Sequence, residues 1–326
     1  MDKEKLRDAI PNTMAELDLP DSIPVVKGKV RDIFDLGNYL LIVTTDRISA
    51  FDRVLSTIPY KGEVLNRISL FWFKNTKDII KNHIKEEVTP RAVLVKKCKV
   101  IPIEVVVRGY LTGSAWRDYK AGRDVSGIQL DRGMAFNEKF REPIVTPSTK
   151  SERGVHDEPV SEQTLVERGI VSENLWEQIR GTALKLFARG TEIAAKNGLI
   201  LVDTKYEFGL LDNGLNEELV LVDEIHTPDS SRYWYTDTYE KLFKAGEKQN
   251  KLDKEYLRQW LMEHGFMGEG KVPDIPDEIK AEVAWRYIKA YETITGEKFV
   301  PLSKDPEEEK RVITEKISFW REAYNG

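Results

Sequence analysis

The chain has 326 residues, of which 40% are hydrophobic and 32% charged, and its formal net charge is −5 at pH 7. This length allows two domains or one large domain, in either case with a substantial core. The acidic balance disfavours a dedicated nucleic-acid-binding protein, whose surface is normally basic. The single cysteine, Cys98, excludes an internal disulfide and favours a reducing compartment.

The sequence contains no apolar run of membrane-spanning length, and its first residues, MDKEKLRDAI, lack the apolar region of a signal peptide. We therefore expect a cytoplasmic protein with no membrane or nucleic-acid partner. Either a monomer or a small homo-oligomer is compatible with the composition.

The hydrophobic pattern of the first hundred residues predicts mainly strands. Leu6, Ile10, Met14 and Leu17 have helical spacing and predict one amphipathic helix over residues 1–19. β-Branched runs punctuated by glycine and asparagine then predict strands within 23–36, 38–45 and 90–111, with a helix over 62–80 between them.

The pattern changes after residue 108, where helices become more frequent. Residues 122–160, rich in Gly, Pro, Asp and Arg, are predicted to form a long binding loop. Two apolar strands near 199–209 and 219–224 interrupt the helical region. Helices are predicted over 114–120, 161–168, 172–197, 253–264, 276–295 and 306–323. This order of elements predicts an α+β fold of two lobes.

Acidic residues and a lysine occur at the ends of these two strands. Asp203, Lys205 and Glu207 alternate and therefore share one face of their strand, and Asp223 and Glu224 end the next one. Carboxylate oxygens of this kind, together with substrate phosphates, are the ligands that Mg²⁺ prefers. The alternative is a surface ion-pair ladder, which the buried character of the flanking runs GLILV and LVLV disfavours.

A second pattern is a short hairpin containing Lys27, Gly28 and Lys29, followed by Arg31. A glycine in a tight turn lets the backbone approach a phosphate, and the basic side chains neutralise it. The Walker A pattern is absent, and the segment is more similar to the glycine-containing hairpins that cover phosphates in kinase-like folds. A basic surface turn is the alternative.

Arg108 and Ser114 predict a second anion site. Arg108 ends an apolar strand, and Ser114 begins the following helix, whose first amides can also bind an anion. A structural ion pair and a plain helix cap are the alternatives. Together with Lys150 and Arg232, these residues predict an anionic second substrate. With the predicted Mg²⁺ site and the lysine–glycine hairpin, the sequence as a whole indicates an ATP-dependent enzyme.

Six segments in order carry a family resemblance: KGKVRDIFDLG, TTDRISAFD, IPIEVVVRGYLTGSAW, TPSTKSERGVHDE, DTKYEFG and VDEIHTPDSSRYW. Together they resemble the phosphoribosylaminoimidazole-succinocarboxamide synthase (SAICAR synthetase) family over residues 25–234. The forms GYLTGSAW and TPSTK are more similar to the longer, eukaryote-like branch than to the short bacterial one.

The resemblance implies a fold and a reaction. The fold would have a kinase-like β-rich lobe over 1–100 and an ATP-grasp-like lobe over 101–326, which would include the terminal helices, with the site in a cleft between the lobes. The enzyme would be an ATP-dependent carboxylate–amine ligase of purine biosynthesis. It would join L-aspartate to carboxyaminoimidazole ribonucleotide (CAIR) and release SAICAR, ADP and phosphate, through an acyl phosphate. ATP would be the co-substrate and Mg²⁺ the cofactor.

The resemblance also implies roles for individual residues. The catalytic residues would be Lys205, Glu207 and Asp223, of which Glu207 and Asp223 would also hold Mg²⁺. ATP would be bound by Lys27, Gly28, Lys29, Arg31, Lys97, Cys98 and Val100, with the segment 97–100 as the adenine hinge. The substrate-binding residues would be Asp46, Ser49, Arg108, Ser114, Lys150, Asp157 and Arg232.

Two other functions remain open from the residues alone. A small-molecule kinase would share the ATP features but needs a hydroxyl acceptor and a base, and the kinase motifs H-R-D and D-F-G are absent. A non-catalytic nucleotide-binding module would have no need for both Glu207 and Asp223 beside a second anion pocket.

Overall fold

The computed structural model describes residues 1–17, 23–150, 158–212, 214, 216–252, 255–302 and 305–324. Within this part of the chain, no helix combines the length and apolar character needed to cross a membrane. The chain divides into two compact units. The first unit comprises Met1–Phe71, His83–Lys97 and Asp253–Gly326, and the second comprises Trp72–Asn82 and Cys98–Leu252.

The first unit contains most of the N-terminal strands and the last helices. Its strands are β1 (Val25–Lys27), β2 (Arg31–Asp35), β3 (Tyr39–Thr44), β4 (Arg47–Ala50), β5 (Arg53–Thr57), β6 (Ile84–Thr89) and β7 (Ala92–Lys96). Its helices are α1 (Lys3–Asp8), α2 (Lys61–Asn75, to Phe71 in this unit), α7 (Glu255–Glu263), α8 (Asp277–Thr295) and α9 (Pro306–Tyr324). A 3₁₀ turn covers Ile10–Asn12.

The second unit contains the remaining elements. Its strands are β8 (Lys99–Val100), β9 (Ile103–Tyr110), β10 (Lys139–Thr149), β11 (Glu158–Pro159), β12 (Leu199–Asp212), β13 (Glu217–Val222) and β14 (Ser231–Tyr235). Its helices are α3 (Gly113–Lys120), α4 (Glu162–Glu167), α5 (Glu173–Lys196) and α6 (Thr236–Lys244). The predicted α+β class, built as two units, is confirmed.

The first unit is built on an antiparallel sheet with strand order β1-β2-β3-β7-β6, beside the separate hairpin β4–β5. Its core contains side chains from three distant parts of the chain: Met14, Leu17, Phe34, Leu41, Val43, Ala92, Leu94, Ile313, Ile317 and Trp320. Because the apolar face of α9 supplies three of these side chains, the terminal helix is an integral part of the first unit.

This packing differs from the predicted division at residue 100, which assigned the terminal helices to the C-terminal lobe. One of the breaks between the units does lie close to that position, between Lys97 and Cys98. However, α8 packs against α1 and α9 packs against β6, both in the first unit. The sequence did not indicate that the terminal helices pack on the first unit, because an apolar helix face does not specify which sheet it covers.

The second unit is a seven-stranded sheet around the 14-residue strand β12. The main order is β11-β10-β9-β12-β13, and β8 and β14 also pair with β12. The apolar stripe of α5 packs against β12, β9 and β10 and covers one face of the sheet. Ser172 caps this helix, since its hydroxyl accepts a hydrogen bond from the Leu175 amide (3.3 Å).

Several observed elements differ from the predicted ones. The N-terminal helix ends at Asp8, and Pro11 lies in the 3₁₀ turn that follows. The predicted long loop contains β10, paired with β9. Its two prolines and the irregular register between Lys139 and Ile144 hide the alternation by which strands are recognised. Helix α6 was not predicted.

His226 is a buried residue in the core of the second unit. Its ring lies edge-on to Trp72 (4.6 Å between centroids), and its Nε2 is 2.5 Å from the Tyr206 hydroxyl. The Tyr233 hydroxyl donates to its carbonyl oxygen (2.8 Å). Burial lowers the pKa of His226 to about 3 and raises the pKa of both tyrosines well above the usual value of 10. All three side chains are therefore neutral near pH 7.

Because His226 binds a proton more readily in the unfolded chain, acid must destabilise this unit. The stabilisation is fully present above the unfolded pKa of about 6.5 and is lost as the pH falls towards 3, by about 1.4 kcal/mol per pH unit. We expect the free energy of unfolding of wild type relative to His226→Gln to decrease by about 2 kcal/mol between pH 6.5 and 5. Denaturant titrations followed by tryptophan fluorescence measure this, with the exposed His264→Gln as control. A pH-independent difference would contradict the prediction.

Candidate active site

Charged side chains from three adjacent strands meet on one face of the second unit's sheet. Asp203 of β12 lies opposite Arg108 of β9 on one side and opposite Arg232 of β14 on the other. Because side chains two residues apart share a face, Glu104 and Lys205 belong to this face as well. The face opposite the one that α5 covers is therefore polar.

Lys205 is at the centre of a cluster of carboxylates. Its Nζ is 2.7 Å from Oε1 of Glu104, 2.7 Å from Oε1 of Glu207 and 4.0 Å from Oδ2 of Asp223. Burial alone would lower the pKa of Lys205, but the three carboxylates outweigh it and raise that pKa above its usual value. Lys205 is therefore a fixed positive charge at neutral pH and cannot act as a general base.

Glu207 is paired through both of its carboxylate oxygens. Glu207 is only 5% exposed. Lys205 contacts its Oε1, and Lys150 forms a short ion pair with its Oε2. Burial would raise the pKa of Glu207, but the charges of Lys205 and Lys150 lower it overall. The carboxylate is therefore ionised, in a position where an unpaired buried charge would be costly.

Asp223 follows β13 directly, and Val222 is the register partner of Glu207, so the two acids lie at neighbouring strand positions. Asp223 has a left-handed backbone (φ 63°), which turns the chain sharply at the end of the strand. Among the described residues, no group of three or more acidic, histidine or cysteine side chains is arranged as a complete metal site. Two carboxylates nevertheless fit Mg²⁺, which typically binds one or two carboxylates and takes its other ligands from phosphates and water.

Two arginines share one carboxylate at the other end of this face. Arg232 Nη2 is 2.8 Å and Arg108 Nη1 is 3.5 Å from Oδ2 of Asp203, and Arg232 Nε donates to Oδ1 at 2.9 Å. Arg108 also donates to the hydroxyls of Thr146 (2.8 Å) and Ser114 (3.2 Å). Burial lowers the pKa of Arg108 despite the opposing charge of Asp203. Two guanidinium groups facing one carboxylate leave a net positive charge.

The first turn of α3 completes this positive region. Gly113 has φ 62°, and a Cβ at this position would overlap the Arg232 guanidinium, so glycine is required by both conformation and space. Ser114, the next residue, contacts Arg108. The amides at this helix start and the two arginines are suited to binding a phosphate.

The lysine–glycine hairpin lies in the first unit, between β1 and β2. The Gly28 amide donates to the Arg31 carbonyl (2.7 Å), and a Cβ at Gly28 would lie 2.9 Å from the same oxygen, so the tight turn requires glycine. Lys27 pairs with Glu16 (2.6 Å) and Lys29 with Asp52 (2.5 Å). All four side chains in these two ion pairs are about half exposed, so they stabilise the fold little.

The predicted adenine hinge spans the break between the two units. Lys97, in the first unit, pairs with Asp35 (2.6 Å). In the second unit, Cys98 packs on Gly209, where a Cβ would lie 2.6 Å from its sulfur, and Val100 pairs with Gly209 through β8. Burial raises the pKa of Cys98, so its thiol is a poor nucleophile.

Asp46 and Ser49 lie in the first unit and are mostly enclosed. Asp46 is 1% exposed, and its oxygens accept hydrogen bonds from the amides of Met14 (2.8 Å) and Gly62 (2.9 Å) and from Arg91 Nη1 (2.9 Å). These contacts give Asp46 a structural role and leave it no exposed surface for a substrate. Ser49, on β4, is 8% exposed. Asp157 lies outside the described residues.

The structure therefore brings Lys150, Lys205, Glu207 and Asp223 into one cluster and Arg108, Ser114 and Arg232 into another, both within the second unit. Sequence reasoning missed Glu104 and Thr146, which contact Lys205 and Arg108. A lone acid within the valine-rich run IEVVV was the available signal for Glu104.

A profile of the SAICAR synthetase family matches residues 24–275. The phosphoribosylaminoimidazole-succinocarboxamide synthase of Bacteroides thetaiotaomicron is 49% identical over 293 residues, which cover 88% of this chain and 92% of that protein.

Solved structures show the same relationship. The SAICAR synthase from Saccharomyces cerevisiae, complexed with SAICAR, superposes with a TM-score of 0.79 at 36% identity and covers 89% of this chain and 100% of that one. A type-2 SAICAR synthetase in complex with ADP gives a TM-score of 0.64 at 27% identity, over 85% of this chain and 100% of that one. Sequence and fold agree: the chain belongs to the SAICAR synthetase family.

Proposed function

We propose that this chain is the ATP-dependent ligase that joins L-aspartate to the carboxylate of CAIR, giving SAICAR, ADP and phosphate. The family assignment supports this reaction, as do the ligands named for two structural relatives, SAICAR and ADP. The observation that carries the proposal is the pairing of an acid–lysine cluster with an arginine-rich anion region on one face of the same sheet.

ATP is bound by two short segments of the chain in this proposal. Backbone and basic groups of the Lys27–Arg31 hairpin contact the triphosphate, and the segment Lys97–Val100 contacts adenine. The charges of Lys27 and Lys29 suit this role, because their present ion pairs are exposed and can be exchanged for phosphate at little cost.

The ribonucleotide phosphate is bound by Arg108, Ser114 and Arg232. These residues combine a net positive charge with donors at the start of α3. Lys150, which pairs with Glu207, lies near the carboxylate of CAIR in this proposal. Ser49 and Asp157 contribute to the substrate pocket.

The reaction has two steps. An oxygen of the CAIR carboxylate attacks the γ-phosphorus of ATP, and the bond from that phosphorus to the bridging oxygen breaks to release ADP. The aspartate amine then attacks the acyl carbon of the resulting acyl phosphate. The carbon–oxygen bond to phosphate breaks, and the nitrogen loses a proton. Positioning and neutralisation of charge supply most of the rate acceleration in chemistry of this kind.

The cluster around Lys205 supplies a positive charge beside the transferred phosphoryl group. Glu104 and Glu207 hold the ammonium in place, so it need not reorganise during the reaction. Glu207 and Asp223 would hold Mg²⁺, which when bound neutralises charge on the nucleotide phosphates.

Omission of one substrate tests the reaction itself. Without L-aspartate we expect no steady release of phosphate, because the acyl phosphate has no amine to accept the acyl group. Phosphate release and product mass are measured with each substrate left out in turn. Phosphate release at the full rate without aspartate would contradict the ligase. A phosphate ester formed together with ADP, without free phosphate, would favour the small-molecule kinase.

Asp223→Asn tests the acidic cluster. We expect the turnover number to fall by about 100-fold or more, because the neutral amide removes one charge from the proposed Mg²⁺ site. Steady-state assays at varied Mg²⁺ and thermal melting measure catalysis and folding separately. Asp212→Asn, an exposed acid on β12, is the matched control. Wild-type turnover in Asp223→Asn would exclude the metal role of this residue.

Arg232→Lys tests the anion region. We expect the KM for CAIR to rise about tenfold or more with a smaller effect on the KM for ATP, because lysine cannot reproduce the forked contacts of arginine. Kinetics with each substrate varied in turn measure the two constants. Arg123→Lys, an exposed arginine of the same unit paired with Asp118, is the control. Equal effects on both constants would contradict the assignment.

A further inference from the structure

Arg47, at the start of β4, contacts the turn of the lysine–glycine hairpin from within the first unit. Its side chain is 11% exposed and lies against Asp32, with Nη2 2.7 Å and Nη1 3.3 Å from the two carboxylate oxygens. The same guanidinium donates to the backbone carbonyls of Gly28 (3.0 Å), Lys29 (3.3 Å) and Ala15 (2.5 Å).

Thr45 extends this attachment by one residue. Its amide (2.9 Å) and its hydroxyl (2.7 Å) both donate to the carbonyl of Val30. Three consecutive carbonyls of the turn, those of Gly28, Lys29 and Val30, are therefore bound by the segment 45–47. The strand that leads into this turn, β1, is exposed along its whole length. The segment 45–47 therefore fixes the turn from one side.

The orientation of the carbonyls determines that of the amides. In a trans peptide the C=O and the N–H of one peptide unit point in opposite directions. Since the carbonyls of Gly28 and Lys29 point towards the Arg47 guanidinium, the amides of Lys29 and Val30 point away from it. Consecutive amides directed to the same side form an anion-binding concavity.

Arg47 holds the turn through its hydrogen-bond donors and not through its net charge. Asp32 is fully buried and forms a two-point ion pair with the guanidinium, so the two charges neutralise each other. The guanidinium instead provides donors in a fixed planar arrangement that reach three carbonyls and a carboxylate together. A lysine ammonium is a point charge and cannot make all of these contacts.

We propose that Arg47 is a positioning residue for nucleotide binding: it fixes the Gly28–Val30 turn by its carbonyls so that the amides of Lys29 and Val30 face the nucleotide phosphates. This inference rests on the proposed role of the hairpin in binding ATP. Arg47 itself makes no contact with the nucleotide.

The test is the equilibrium dissociation constant of Mg·ATP, measured by calorimetry on the full chain. For Arg47→Lys we expect that constant to rise about tenfold, because the turn is no longer preorganised. The dissociation constant of CAIR should stay within about twofold of wild type. Arg67→Lys is the matched control, since Arg67 is a similarly buried arginine of the same unit that pairs with Glu63 and donates to the Val300 carbonyl.

Lys29→Ala separates failure of this inference from failure of the proposed hairpin function. If Lys29→Ala and Arg47→Lys both bind Mg·ATP like wild type, neither the lysine side chain nor the fixed turn contributes to phosphate binding, and both ideas are wrong. If Lys29→Ala weakens binding while Arg47→Lys matches wild type, only the positioning role is wrong. Equal weakening of ATP and CAIR binding in Arg47→Lys, or equal weakening of ATP binding in Arg67→Lys, would show a general loss of structure and would also overturn it.

Thermal melting establishes that each variant is folded. Should Arg47→Lys not fold, Thr45→Val provides a milder change, because it removes one hydroxyl donor to the Val30 carbonyl and keeps the amide donor. We then expect a several-fold rise in the Mg·ATP dissociation constant. A wild-type constant in Thr45→Val would overturn the inference.

Discussion

The ion-pair cluster around Lys205 is the interaction on which the site depends. Three carboxylates from β9, β12 and the end of β13 surround one ammonium group, and a second lysine balances Glu207. So many acids on a half-buried sheet face are tolerated only because the lysines compensate their charge. The same compensation keeps Glu207 ionised and Lys205 protonated, which are the states that the proposed phosphoryl transfer needs.

The sheet explains how distant parts of the chain reach this cluster. β12 is long enough to pair with β9 and β14 over its first half and with β13 over its second half. Asp203 therefore meets Arg108 and Arg232, while Glu207 lies beside the end of β13, only four residues further along. One strand thus connects the anion region to the acidic cluster, and the packing of α5 on its other face keeps that strand in place.

Local pattern was sufficient to predict much of this fold and part of the site. The alternation of Asp203, Lys205 and Glu207 indicated a shared polar face, and Ser172 marked the start of α5. Features set by distant packing were not predictable: β10 was hidden by its prolines, and α9 returns to the first unit. Asp46 illustrates the same limit within the site, because a sequence does not distinguish an acid that faces a substrate from one that anchors Met14, Gly62 and Arg91.

The two-residue periodicity of β12 has a consequence for how this family can vary. Insertion of a single residue between Asp203 and Lys205 would, with Asp203 held in place, move Lys205 and Glu207 to the face beneath α5 and bring Tyr206 to the charged face. Length changes are therefore expected in the connections around the sheet and not within this strand. In comparisons of relatives, the two-residue spacing of Asp203, Lys205 and Glu207 should be examined first, and the identity of the amino acids at these positions second.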